Sequence, residues 1–123
     1  FLIRNGATGA LIPLASIQSG IFNRYSSVFM LRAGGEPCDV TVPAGEFACV
    51  CFRGDYQNTA RFLPKLVAYA KAHDRVPCGN ALELYLIDIH ESGDPAEYIT
   101  ELQLPVAPAS AAAPSPRPGS TKR

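Results

Sequence analysis

Residues 81–90 read Ala-Leu-Glu-Leu-Tyr-Leu-Ile-Asp-Ile-His, an almost unbroken apolar run with an acid near its start. An apolar stretch of this length, rich in strand formers, predicts a buried β-strand over Leu82–Ile89. A carboxylate inside such a strand costs free energy unless something pairs with it. Glu83 therefore either reaches water, pairs with a cation such as Arg53 or Lys65, or sits in a cavity whose partner comes from outside the chain. Alternation places Tyr85 and Ile87 on the face of Glu83, and Leu82, Leu84 and Leu86 on the other. Both faces are apolar, so alternation leaves open which of them carries a helix.

One clear helix accompanies this strand, over Gln57–His73. Phe62, Leu63, Leu66, Val67 and Ala70 recur at helical spacing and form one stripe. Asp55 is placed to cap the helix, and Pro64 predicts a kink or a late start near Asn58. The remaining segments read as strands: Ala10–Leu14, Tyr25–Leu31, Cys38–Val42 continued by Glu46–Arg53 after a Pro43-Ala44-Gly45 bulge, and Glu97–Val106. Ser16–Asn23 and Asp74–Asn80 read as loops. Glu46–Arg53 is apolar on both faces and is expected to be a central strand. The fold class is α+β, an antiparallel sheet with a helix packed on it. Residues 1–106 form the domain, and the Pro/Ala/Ser-rich residues 107–123 are expected to be a disordered tail.

Composition excludes several functions. Eleven basic residues balance eleven acidic ones, so no electrostatic field draws this chain to nucleic acid or to a membrane surface. No apolar run approaches the length of a membrane span. Four cysteines and two histidines contain no CxxC pair, which argues against zinc. Cys49 and Cys51, two apart on a strand, face the same way and are poorly placed to bridge each other, so free thiols in a reducing cytoplasm are the expectation. The chain opens on Phe1 and shows no signal-peptide pattern, which suggests a fragment.

Taken in order, Val42-Pro-Ala-Gly-Glu-Phe-Ala-Cys49, Gly54-Asp-Tyr56, the helix, Leu82-Glu-Leu-Tyr-Leu86 and Glu97-Tyr-Ile-Thr-Glu-Leu-Gln-Leu-Pro-Val106 resemble the GyrI-like effector-binding domain. This is also the BmrR-type ligand domain of bacterial MerR- and AraC-family regulators. The resemblance covers about residues 7–106. It implies a pseudo-duplicated β-α-β-β fold whose second repeat, Cys38–Val106, is complete, and whose first lacks its leading strand and helix. It implies that Glu83 lies in an aromatic cavity and pairs with lipophilic cations, with Tyr56 and Tyr98 as aromatic walls. Tyr85, on the same face as Glu83, joins them.

The implied function is a small-molecule effector-binding domain of a cytoplasmic transcription regulator, with no cofactor and no catalytic residue. DNA would be reached only through a domain absent from this chain, and a homodimer is left open. The alternative is a stand-alone binder, or a hydrolase of small reactive electrophiles with Glu83 as general base. The resemblance also allows Glu101 as a second pocket acid, but beside Gln103 on a polar face it is expected at a solvated or dimer-edge position.

Overall fold

The computed structural model describes residues 7–32, 35–87 and 92–112. Six strands form one antiparallel sheet: β1 (Thr8–Ile12), β2 (Ser27–Met30), β3 (Glu46–Arg53), β4 (Arg75–Pro77), β5 (Ala81–Ile87) and β6 (Ile99–Pro108). Their order across the sheet is β2-β1-β5-β6-β3, with β4 paired to the end of β6. The strand that bears Glu83 is thus flanked on both sides, by β1 and β6, and its residues Ala81–Leu84 are buried on both faces, in keeping with its continuous apolar run.

Helix α2 (Thr59–Ala72) packs on one face of the sheet. Leu63, Leu66 and Ala70 from the helix meet Ile12, Phe52, Ala81, Leu102, Leu104 and Val106 from the strands, all of them buried. Each large aliphatic side chain taken fully out of water here contributes about 1.5–3 kcal/mol. The strand register puts Glu83, Tyr85, Thr100 and Leu102 on this same face. The face carrying the helix, which alternation left open, is therefore that of Glu83.

The start and stop of α2 follow from its sequence. The Asp55 side chain accepts a hydrogen bond from the Gln57 amide at 2.8 Å and closes the 3₁₀ turn Tyr56–Asn58. The α-helix proper begins at Thr59, close to the late start expected near Asn58, and Pro64 lies inside it. Pro64 lacks the amide that would bond the carbonyl of Ala60, and Ala60 is exposed, so water can serve that carbonyl. Asp74, at φ 57°, ends the helix in a left-handed turn that aspartate tolerates better than most residues.

Several expectations change. β3 is an outer strand, paired only with β6 among the described residues. Its two apolar faces misled because one bears the core residues Ala48, Val50 and Phe52, while the other bears two cysteines. Cys38–Val42 forms no strand; the chain there is exposed coil, with Pro37 and Pro43 at its ends. β1 stops before Pro13, and Leu14–Gln18 forms a short helix, α1, whose Ser16 and Ile17 are buried. The loop after α2 contains β4. Ala107 and Pro108 continue β6, and Ala109–Ala112 form one helical turn, α3. The end of the expected β5 strand at Ile89, and residues 113–123 of the tail, lie outside the described residues.

Gly9 marks a close approach between strands. A Cβ at this position would collide with the Glu83 carbonyl oxygen and with the ring tip of Phe29. Gly9→Ala is expected to destabilise the fold by about 2 kcal/mol, the usual scale of overpacking, read as a lowered urea midpoint at unchanged slope.

Candidate functional site

Glu83 has no exposed surface. Its neighbours across the ladder are Ala10 on β1 and Leu102 on β6, so its side chain rises from an apolar floor. Three hydroxyls converge on it. Tyr25 donates to Oε1 at 3.0 Å, Thr59 donates to the same oxygen, and Tyr85 donates to Oε2 at 2.5 Å. Neither Arg53 nor Lys65 is a partner among the described residues.

Each donor is delivered by a different element. Tyr85 stands two residues along β5, on the same face by strand alternation. Thr59 is the first residue of α2, which also brings the positive end of the helix dipole next to the carboxylate. Tyr25 precedes β2, whose pairing to β1 carries it over the sheet. Burial, then the charge of Glu83 and the hydrogen bond to it, push the Tyr25 hydroxyl up to about 12 from its ordinary value of 10.0.

That shift gives a direct test of the geometry. The difference between the ultraviolet pH titrations of the wild type and Tyr25→Phe isolates Tyr25. Its midpoint is expected near 12. In Glu83→Gln the midpoint is expected to fall toward 10, though not to reach it, because burial remains. A raised folded-state value favours the protonated phenol in the fold. Tyr25 therefore contributes nothing pH-dependent below pH 10, and stability declines as pH rises from 10 toward 12.

The Tyr25 ring is 42% exposed and opens onto a groove of about 440 Å³ lined by Asn23, Tyr25, Gln57 and Ala60. On the far side of Glu83 from α2, the same face continues over β1 to Val28 and Met30, which are 83% and 60% exposed. Val28 stands two strands from Glu83, about 10 Å away. A buried acid, a half-exposed tyrosine and uncovered apolar side chains thus share one side of the sheet. A second groove of about 310 Å³, between Tyr69 and Glu46 at the other end of α2, holds the Arg75–Glu46 ion pair at 2.7 Å and no buried acid.

Tyr98 is buried just before β6, on the face of Leu102 and about 13 Å along the strand from it. Tyr56 lies in the turn into α2, and its side chain is outside the described residues. Tyr25 and Thr59 were not singled out in the sequence. They lie 58 and 24 positions from Glu83, and no local spacing links them to it.

Glu101 corrects the expectation of a solvated position. It is 8% exposed, on the opposite face of the sheet from Glu83. β6 is flanked by β5 and β3, so neighbours on both sides cover it: Gln103 donates to Oε2 at 2.8 Å and the Cys51 thiol to Oε1 at 3.3 Å. Burial and the Glu101 carboxylate push that thiol up to about 11. No group of three or more metal-ligating side chains occurs among the described residues, and no helix there is long and apolar enough to cross a membrane.

The profile of the GyrI-like small molecule binding domain matches residues 18–107, nearly three quarters of the chain. No curated protein and no solved structure matches it.

Proposed function

Because the chain belongs to the GyrI-like small molecule binding domain family, we propose that it binds a lipophilic organic cation, with Glu83 as the counter-charge. One observation carries this reading. Every donor that the described residues bring to Glu83 is a neutral hydroxyl. Hydroxyls satisfy the lone pairs of a buried carboxylate, and among the described residues no side chain of opposite charge meets it. A cationic guest supplies that partner.

Access runs through Tyr25. Glu83 is covered, whereas Tyr25 is half in solvent and holds its hydroxyl on Oε1. Swinging that ring aside opens one carboxylate oxygen, while Thr59 and Tyr85 continue to hold the other bonds. The displaced ring and Tyr85 then offer aromatic faces to the cation, each contributing on the order of 0.5–2 kcal/mol. Val28 and Met30 extend an apolar shelf for the rest of the guest. Tyr98 belongs to the wider wall of the site in this reading.

With the three-residue β4 set aside, the order β3, α2, β5, β6 is that of one β-α-β-β unit, in keeping with a second repeat of a duplicated fold. Within a cytoplasmic transcription regulator, occupancy of such a domain would shift the balance between two arrangements of an attached DNA-binding domain. Paired titrations followed by tyrosine fluorescence test the ligand class. N-methyl-4-phenylpyridinium is expected to bind at least about tenfold tighter than its uncharged isostere 4-methylbiphenyl, a difference of about 1.4 kcal/mol. Equal affinities would remove charge from the recognition.

A further inference from the structure

The two outer strands of the sheet differ in how they are protected. β2 has four residues. β3 has eight, with no proline, no break in its register to β6, and charges only at its ends, Glu46 and Arg53. A long, regular edge presents a row of unpaired backbone groups that templates another strand. The Gly54 amide donates to the Tyr98 carbonyl at 2.8 Å, which sets the phase of the β3–β6 ladder. Ala48, Val50 and Phe52 turn their amides and carbonyls toward β6. Phe47, Cys49, Cys51 and Arg53 turn theirs outward. Among the described residues no strand occupies that side.

We propose that a second copy of this chain does: two β3 strands pair antiparallel about a two-fold axis through Val50, so that one sheet runs through both subunits. The occupant follows from the self-complementarity of Glu46–Arg53. An axis normal to the sheet keeps each face on its own side, so it must pass through a residue rather than between two. Through Val50 it sets Cys49 opposite the second copy's Cys51, Phe47 opposite its Arg53, and Ala48 opposite its Phe52.

All four outward-turned residues of each strand then find main-chain partners, for about eight hydrogen bonds in all. Each Phe47 ring meets a guanidinium, and no like charges face each other. An axis through Cys49 would leave Arg53 opposite Gly45, outside the strand. The pairing does not draw on the ligand reading: β6 lies between this edge and β5, which bears Glu83.

The register is readable by cross-linking. Opposed residues of a hydrogen-bonded antiparallel pair have Cα atoms about 5.5 Å apart, within disulfide range. The experiment uses the full chain with Cys38→Ser and Cys78→Ser, so that only Cys49 and Cys51 remain. Diamide serves as oxidant; it takes two electrons and two protons from each pair of thiols as the S–S bond forms. Light scattering is expected to give twice the 13.1 kDa chain mass before oxidation, and oxidation a covalent dimer.

Adding Cys49→Ser, or Cys51→Ser, is expected to abolish the cross-link in each protein alone. An equimolar mixture of the two, equilibrated before oxidation, is expected to restore it as a heterodimer, identified by a mass tag on one partner. A monomer at millimolar concentration would overturn the proposal. So would a dimer that does not cross-link, or one in which either single-cysteine protein cross-links to itself.

Discussion

Glu83→Gln is expected to weaken binding of N-methyl-4-phenylpyridinium by about 30-fold and to leave 4-methylbiphenyl within about twofold. The substitution keeps the size of the side chain. The amide oxygen can remain on Tyr25 and Thr59, and the Tyr85 hydroxyl, now opposite an amide nitrogen, can turn to accept from it. What disappears is the charge. Removing one member of a buried ion pair costs about 2–5 kcal/mol. The lower end applies here, because the groove is open to water beside Tyr25, and about 2 kcal/mol corresponds to the 30-fold loss. Fluorescence titration of both probes on both proteins gives the comparison. A loss shared equally by the two probes would mean a damaged cavity rather than a missing charge.

Leu102→Ala is expected to have the largest effect on stability, about 3 kcal/mol. Leu102 has no exposed surface, and its register partners are Glu83 on β5 and Val50 on β3. Truncation there leaves a hole between α2 and three hydrogen-bonded strands, which cannot close without breaking ladders. Rigid surroundings of this kind put a leucine truncation well within the 2–5 kcal/mol range. For a domain whose whole stability is on the order of 5–15 kcal/mol, that is a large fraction. Val28→Ala, at a residue 83% exposed, is the control and is expected to stay within about 0.5 kcal/mol. Urea unfolding of the three proteins, followed by circular dichroism, reads both values.

These expectations rest on features that the sequence displayed unequally. The helix stripe at Leu63, Leu66 and Ala70 was legible because a period of 3.6 residues is local, and so was the shared face of Glu83 and Tyr85. The burial of Glu83 was one of several readings, and what decides it is the strand order together with Thr59 of α2, Tyr25 and Tyr85 closing over the carboxylate. Tyr25 and Thr59 were hidden because their proximity to Glu83 depends on strand order and on where α2 begins. β3 looked central because its cysteines read as apolar, although Cys51 points a thiol at Glu101. Glu101 looked solvated because alternation beside Gln103 suggests a wet face. It is buried instead because the Gln103 amide and the Cys51 thiol close over its carboxylate.

The claim at the centre of this account is that a guest's positive charge comes to rest on the Glu83 carboxylate. Carbon-13 labelling of glutamate side-chain carboxyls, with the Glu83 resonance assigned from its absence in Glu83→Gln, observes that group directly. As N-methyl-4-phenylpyridinium is added, the Glu83 resonance is expected to shift more than any other glutamate and to saturate at the Kd given by fluorescence. Saturable binding of the cation with the Glu83 resonance unmoved would contradict the account.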